Sequence, residues 1–212
     1  MLKKVVIIGP ESTGKSTLCK QLAEHYKTLW CPEFARQYLL KHGMNYEYDD
    51  LLTIAKGQLA LEDEYVEEIR KSGRPEDQKN ILADNNTSIK LPNYSSLSPP
   101  DSYRVTTHLS PLFIDTDMYV MKVWCEFVFG NCHPFILDQI AIRKYDCYLL
   151  CNVDLPWVKD ELREYPDLER RQQLYFIYKK LMDKQSVPWI DISGSYEERL
   201  EKAITSVNNI PV

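Results

Sequence analysis

Several features that would direct this chain to nucleic acid, to a membrane or to export are missing from it. Positive charge is not in excess, because 26 Lys and Arg stand against 31 Asp and Glu and the formal net charge is −5. We therefore expect no nucleic-acid partner. No apolar run approaches the roughly 18 residues of a membrane-spanning helix. The first strand pattern begins close to the N-terminus and leaves no room for a signal peptide, so we expect a cytoplasmic location.

Patterns typical of metal sites and disulfide frameworks are also missing. The six cysteines form no C-x-x-C pair, and the four histidines have no metal-ligand spacing. With no export signal expected, we interpret the cysteines as reduced core thiols. No internal repeat is visible. A chain of 212 residues suits one α/β domain with a substantial core, so we predict a single domain over residues 1–212.

The most informative stretch that is present is GPESTGKST at residues 9–17, which fits the pattern G-x-x-x-x-G-K-S/T. Gly9 and Gly14 allow a tight turn whose backbone N–H groups point at phosphate oxygens. Lys15 can reach the β- and γ-phosphates of a nucleotide, and the Ser16 hydroxyl can ligate Mg²⁺. The predicted ATP-binding residues of this loop are Gly9, Glu11, Ser12, Thr13, Gly14, Lys15, Ser16 and Thr17.

The surroundings of this loop predict its fold. A β-branched apolar run, residues 5–8, precedes it, and apolar residues at helical spacing follow it. Further strand patterns occur at residues 27–31, 112–114, 145–151 and 187–192, with helical patterns between them. Strands that alternate with helices indicate a parallel sheet covered on both faces. The expected fold is the three-layer α/β fold of P-loop nucleoside triphosphatases.

Two segments differ from this regular pattern. Residues 71–111 are rich in Pro, Asn and Ser and poor in large apolar residues, which predicts a flexible insertion. A lid or a partner-binding insertion is the alternative there. Residues 153–172 are polar and follow the fourth strand, and we interpret them as a lid that carries arginines. Arg163, with Arg170 or Arg171, would close over the transferred phosphoryl group. In the alternative, these arginines pair with neighbouring glutamates on a solvated helix.

Acidic residues follow two of the predicted strands, where ligands bind in open α/β sheets. Asp115 comes directly after an apolar strand, as a carboxylate that holds Mg²⁺ does. Asp117 fits either a site role or the N-cap of the next helix. Glu33 and Arg36 lie one helical turn apart after the second strand and could bind a hydroxyl group together. A solvated first turn is the alternative for Glu33.

Six stretches together resemble the nicotinamide riboside kinase domain of NadR-type NAD biosynthesis proteins, P-loop kinases of an AAA-like ATP-binding family. They occur in the family's order and cover most of the chain outside residues 71–111. They are GPESTGKSTL at 9–18, PEFARQY at 32–38, AKGQ at 55–58, FIDTD at 113–117, HPF at 133–135 and LPWVKDELR at 155–163.

The resemblance implies ATP- and Mg²⁺-dependent phosphorylation of a nucleoside 5′-hydroxyl, with nicotinamide riboside as the acceptor and nicotinamide mononucleotide as the product. By this resemblance, Trp157 would face the cationic pyridinium ring, although core packing is its alternative. The implied catalytic residues are Lys15, Glu33, Asp115 and Arg163, and Arg163 also contacts ATP. The implied acceptor-binding residues are Glu33, Arg36, Asp115, Asp117, Trp157 and Asp160. The implied Mg²⁺ ligands are Ser16 and Asp115.

Two other functions remain open from the sequence. A regulatory ATPase, such as a nucleotide-gated partner of a vitamin transporter, would use the same phosphate loop without an acceptor. A kinase for another nucleoside or vitamin would keep the chemistry and change the substrate. A nucleotide acceptor would need more Arg or Lys near the second and third strands, where only Arg36 is evident. The oligomeric state has no signal in the sequence.

Overall fold

The computed structural model describes residues 2–72 and 110–211. These residues form five strands and seven helices. The strands are β1 (Lys4–Ile8), β2 (Trp30–Cys31), β3 (Leu112–Asp115), β4 (Cys147–Cys151) and β5 (Trp189–Ile192). The helices are α1 (Lys15–Tyr26), α2 (Phe34–His42), α3 (Tyr48–Ser72), α4 (Met118–Phe129), α5 (Pro134–Ile142), α6 (Leu168–Lys184) and α7 (Tyr196–Asn208).

All five strands are parallel and lie in the order β2-β3-β1-β4-β5. The order reverses at β1, and this is the position where an open α/β sheet forms its ligand crevice. The register pairs Ile7 with Asp115, so the carboxyl end of β3 lies beside the end of β1. The pairing brings an acidic group to the loop that follows β1.

Two apolar clusters cover the two faces of the sheet, because successive strand residues point to opposite faces. Val6 and Ile8 pack with residues of α3, α4 and α6, whereas Val5 and Ile7 pack with residues of α1 and α7. All four side chains are completely buried. Helix, sheet and helix layers result, and the predicted three-layer P-loop fold is confirmed.

A third apolar cluster joins α2, α3, α4 and α5 beside the sheet. Its centre is a close approach between α2 and α3. A Cβ atom on Gly57 would lie 2.2 Å from the Phe34 ring, so only glycine fits there without displacing that ring. This cluster supports the start of α2, where Glu33 and Arg36 are found.

Element boundaries differ from the predicted ones by a few residues. The second strand is shorter than predicted, because Lys27 ends α1 in the left-handed conformation with φ 51°. The predicted lid at 153–172 divides into coil at 153–167 and the first turn of α6. The predicted insertion at 71–111 lies outside the described residues, except for its ends. No helix in residues 2–72 and 110–211 is long and apolar enough to cross a membrane. The six cysteines are free and buried.

Candidate nucleotide and acceptor site

The loop between β1 and α1 has the backbone geometry that its glycines predict. Gly9 has φ 137°, and a Cβ atom there would lie 2.7 Å from the Cys151 carbonyl oxygen. Gly14 has φ 79° and forms the N-cap of α1. No side chain caps this helix, so its first N–H groups remain directed at the loop. The Lys15 ammonium group donates to the Pro10 carbonyl at 2.8 Å and crosses the loop.

The central contact of the site joins α1 to β3. The Ser16 hydroxyl donates a short hydrogen bond to Oδ2 of Asp115, although the two residues are 99 positions apart. Asp115 is 1% exposed, and its Oδ1 has no hydrogen-bond partner among the described residues. Burial, reinforced by the negative charge of Glu33, raises the pKa of Asp115 to about 6. A cation beside Oδ1 would relieve both the missing partner and the buried negative charge.

Glu33 lies close to Asp115 and is held by its neighbours. Its Oε1 accepts a hydrogen bond from the Thr116 hydroxyl at 3.2 Å, and Thr116 has a rare positive φ of 81°. The buried Gln58 side chain accepts from the Phe34 amide at 2.7 Å and donates to the Pro32 carbonyl at 3.3 Å. Gln58 thus fixes the turn that carries Glu33. The stretches AKGQ (55–58) and PEFARQY (32–38) are therefore in direct contact.

Asp117 has a different environment from Asp115. Its Oδ1 accepts from the amides of Tyr119 and Val120, at 2.9 and 3.3 Å, and caps α4. Its Oδ2 accepts from the Tyr148 hydroxyl at 2.9 Å. Because both oxygens are used by protein groups and the residue is 1% exposed, the geometry favours the capping interpretation over acceptor binding.

Residues 153–167, which we call the lid segment, contact the phosphate loop directly. The Glu11 carboxylate accepts from the amides of Glu164 and Tyr165, at 2.9 and 2.5 Å. The Ser12 hydroxyl accepts from the Val158 amide at 2.9 Å and from Arg163 Nη1 at 3.3 Å. Arg163 is therefore placed at the loop, whereas the Arg170 guanidinium lies over the rings of Phe127 and Tyr165.

The lid segment also contacts the side of the molecule that carries α2 and α3. The Arg36 guanidinium and the Asp160 carboxylate form two hydrogen bonds, at 3.3 and 3.1 Å. This pairing lowers the pKa of Asp160. The Tyr46 hydroxyl donates to Glu164 at 3.1 Å and accepts from the Trp124 indole at 3.0 Å. The lid segment thus bridges the phosphate loop and the predicted acceptor side.

Trp157 lies in the same segment and is partly buried. Its indole Nε1 is buried and has no hydrogen-bond partner among the described residues. A buried indole N–H normally finds an acceptor. Arg36 and Asp160 of the predicted acceptor set pair with one another, whereas Trp157 keeps a buried donor that no described residue uses.

Arg199 is a central residue that the sequence pattern does not reveal. It is 2% exposed and donates to the carbonyls of Thr13, Gly194 and Asn152 at 2.8–3.0 Å. It also pairs with Asp154. It therefore ties the phosphate loop to the ends of β4 and β5. An arginine on an amphipathic helix such as α7 is normally predicted to lie at the surface. No local sequence signal therefore predicts that Arg199 is buried.

The donor set at Ser16 and Asp115 fits Mg²⁺. No group of three or more His, Cys, Asp or Glu side chains in the described ranges could hold a metal ion alone. Mg²⁺ bound with a nucleotide does not need such a group, because phosphate oxygens and waters complete its coordination. A hydroxyl and a carboxylate oxygen are hard ligands of the kind it prefers, and no described residue binds Oδ1 of Asp115.

The strand order, the loop after β1 and the carboxylate at the end of β3 define a protein with the P-loop kinase fold. The sequence profile of a family described as AAA domain matches residues 4–88 and 101–199. The chain belongs to this AAA domain family. The predicted resemblance to NadR-type proteins is confirmed by similarity in both sequence and fold.

The trifunctional NAD biosynthesis/regulator protein NadR of Escherichia coli (strain K12) is 22% identical over 214 residues, which cover 99% of this chain and 43% of NadR. The crystal structure of NadR protein in complex with NR superposes with a TM-score of 0.64 at 20% identity, over 99% of this chain and 49% of that one. A NadR structure in complex with NAD and AMP-PNP gives 0.61 at 18% identity, with the same coverage.

A structure outside NadR shares the fold over its whole length. Thymidylate kinase from Ehrlichia chaffeensis superposes with a TM-score of 0.55 at 12% identity, over 97% of this chain and 98% of that one. The present chain spans less than half the length of the curated NadR relative. At these identities, the structural matches establish the fold.

Proposed function

We propose that the protein is an ATP-dependent kinase that phosphorylates the 5′-hydroxyl of nicotinamide riboside and releases nicotinamide mononucleotide and ADP. The observation that carries this proposal is the contact between Ser16 and Asp115 at the phosphate loop, with Glu33 beside it. In this proposal, the γ-phosphate binds beside Ser16 and Asp115, and the neighbouring Glu33 carboxylate faces the attacking hydroxyl. The similarity to NadR, whose solved complexes contain NR and AMP-PNP, supports the choice of substrates.

In the proposed reaction, the acceptor oxygen forms a bond to the γ-phosphorus while the bond from that phosphorus to the β,γ-bridging oxygen breaks. The acceptor proton passes to a carboxylate. We assign this role to Glu33, because the proposal gives Asp115, together with Ser16, to Mg²⁺, whereas Oε2 of Glu33 accepts no hydrogen bond from the described residues. Lys15 and Arg163 stabilise the charge on the transferred group. Mg²⁺, held by Ser16 and Asp115, would neutralise the phosphates.

The charges around the acceptor side favour a cationic nucleoside. Glu33 and Asp115 bring negative charge to the strand ends, and Arg36 is already paired with Asp160. A nucleotide acceptor carries a phosphate group that needs a cation. The one cation among these four described residues, Arg36, is already paired with Asp160. A pyridinium ring would be attracted to these carboxylates and to an indole face such as that of Trp157.

The direct test is ADP release from purified protein with Mg-ATP, with and without a panel of nicotinamide riboside, common nucleosides and vitamin alcohols. We expect strong stimulation by nicotinamide riboside and formation of its 5′-phosphate. Stimulation by another acceptor alone would replace the substrate and keep the kinase. Slow hydrolysis that no acceptor changes would favour a regulatory ATPase.

Two substitutions separate phosphate binding from acceptor activation. Lys15→Ala should abolish transfer, while Lys20→Ala, an exposed lysine on the same helix, should leave turnover within about twofold. Glu33→Gln should lower kcat by about 10²-fold or more and leave the ATP affinity nearly unchanged. Glu24→Gln is its control on an exposed surface. Full turnover in Glu33→Gln would contradict the acceptor placement.

A further inference from the structure

A cavity of about 420 Å³ lies at the base of the lid segment, between the end of β4 and the first turn of α6. Its walls are formed by the coil after β4 on one side and by α6 on the other. The lining residues used below are Asn152, Asp154, Leu155, Leu168, Arg171 and Gln172. None of them belongs to the phosphate loop or to the predicted acceptor set, and Arg171 is one of the two arginines predicted to join Arg163 at the transferred phosphoryl group.

Arg171 is the unusual member of this lining. It is only 4% exposed, yet its Nε and Nη1 atoms are buried without a hydrogen-bond partner among the described residues. A buried cation without a partner costs several kcal/mol, so native proteins normally pair such a group. The Arg171 guanidinium therefore lacks an anion that its surroundings do not supply.

The other polar groups of the lining are already committed. Asp154 uses Oδ1 for Arg199 and Oδ2 for the Gly194 amide at 2.6 Å. The Asn152 side chain donates to Asp191 at 3.1 Å and accepts from the Val153 amide at 2.8 Å. Asp167, which caps α6 and lies outside the lining, accepts from the Arg170 amide at 2.9 Å. None of these groups neutralises the Arg171 guanidinium.

We propose that this cavity is an oxyanion site in which the Arg171 guanidinium binds a phosphate group. A guanidinium offers parallel N–H donors that match two oxygens of a tetrahedral oxyanion. The exposed Gln172 amide lies on the same wall and can add a donor.

The phosphate can have two sources with the same chemistry. The cavity is close to the phosphate loop, because a Cβ on Gly14 would lie 3.0 Å from Leu155, and Arg199 binds both Thr13 and Asn152. A phosphate of the bound nucleotide is therefore one source, and a free phosphate ion is the other. Phosphate binding at this site requires no phosphoryl acceptor. The proposal can therefore be tested independently of the proposed kinase reaction.

The test uses the full chain and inorganic phosphate as the probe. Phosphate can also bind the phosphate loop, so the titration is made in the Lys15→Ala background. Heat stability and calorimetric titration are followed against sodium chloride of equal ionic strength. We expect phosphate to raise the Tm in Lys15→Ala and to lose at least tenfold in affinity in Lys15→Ala/Arg171→Met. Arg170→Met, which removes the adjacent exposed arginine, is the matched control and should keep the response.

A second arm identifies the source. ADP and adenosine are titrated into the protein with and without Arg171→Met, with Lys15 intact. A tenfold loss for ADP but not for adenosine assigns the site to a nucleotide phosphate. An unchanged ADP affinity together with the lost phosphate response assigns it to a free ion. Unchanged affinities for both phosphate and ADP overturn the proposal.

A third variant guards against misfolding. If Arg171→Met does not fold, Arg171→Lys keeps the charge but loses the paired donors, and an intermediate phosphate affinity is expected. An affinity in Arg171→Lys equal to that of the parent would exclude the paired geometry and overturn the assignment.

Discussion

Arg199 and Asp115 are two buried charged residues beside the phosphate loop, and their surroundings differ. Arg199 satisfies three backbone carbonyls and pairs with Asp154, while almost no part of it reaches solvent. Asp115 shows the opposite condition, because one of its oxygens is buried without a partner in the described part of the chain. Arg199 therefore stabilises the fold, whereas the buried charge of Asp115 is unfavourable and a bound cation would offset it.

Replacement of Arg199 tests the first role. Arg199→Met leaves the Thr13, Asn152 and Gly194 carbonyls without their donor, so we expect the free energy of unfolding to fall by about 3 kcal/mol. Urea unfolding measures this change. Lys202→Met, an exposed lysine on the same helix, should change the stability by less than about 0.5 kcal/mol. Equal small effects for both variants would contradict the structural role of Arg199.

The pH dependence of stability tests the buried state of Asp117. Burial raises its pKa to about 7 from an ordinary 3.8, against the opposing effect of Tyr148 and the helix amides. The folded protein holds this proton more tightly than the unfolded chain does. The contribution of Asp117 to the free energy of unfolding therefore falls as the pH rises from about 4 to about 7.

Asp117→Asn removes this titration, so its stability should vary less between pH 5 and pH 7 than that of the parent protein. Urea unfolding without nucleotide or Mg²⁺ gives the comparison. Asp183→Asn, on the surface of α6, is expected to keep the parent profile. A parent-like profile in Asp117→Asn would show that its carboxyl group stays ionised in the fold.

At the scale of elements, the lid segment is held from two sides by different chemistry. On the nucleotide side, Glu11 and Ser12 accept from its backbone amides. On the other side, side chains of the segment pair with Arg36 and Tyr46. The lid segment thus links the phosphate loop with α2. A substitution on either side is expected to affect the position of the lid segment.

Glu11→Gln tests the nucleotide-side anchor. The amide keeps one acceptor oxygen but places an N–H₂ group against a backbone N–H, so the segment should open more often. We expect trypsin to cleave after Lys159 or Arg163 several times faster than in the parent. Glu24→Gln should be cleaved at the parent rate. A parent rate in Glu11→Gln would show that the other contacts hold the segment alone.

At the scale of the whole molecule, the sheet has a buried centre and less protected edges. β1 is paired on both sides, with β3 and β4, and its last four side chains are completely buried. β2 lies at one edge and contains two residues. Unfolding of the central strand β1 requires disruption of both apolar clusters, whereas the edge strand β2 can open with the loss of fewer contacts.

Amide hydrogen exchange followed by mass spectrometry should resolve this gradient. Amides of residues 4–8 and 147–151 are expected to exchange only with global unfolding, and those of residues 30–31 at least tenfold faster. Addition of a nonhydrolysable ATP analogue should slow exchange in the phosphate loop and the lid segment. Faster exchange in β1 than in β2 would contradict the assigned strand order.

Local sequence by itself determined the parts of this protein that depend on neighbouring residues. The loop at 9–17, the buried strands beside it and the acidic end of β3 follow from short patterns, because a tight turn, a strand and a cap each involve a few consecutive residues. The P-loop fold followed from the alternation of these elements.

Only the tertiary structure decided which distant groups meet. The pairing of Ile7 with Asp115 brings Asp115 to Ser16, and the packing of α7 brings Arg199 under Thr13. Tertiary packing also brings the Tyr148 hydroxyl to Asp117, joins Arg36 to Asp160 and leaves Nε and Nη1 of Arg171 without a partner among the described residues. Strand register and helix packing set these contacts across up to 186 positions, and no local pattern encodes such a distance.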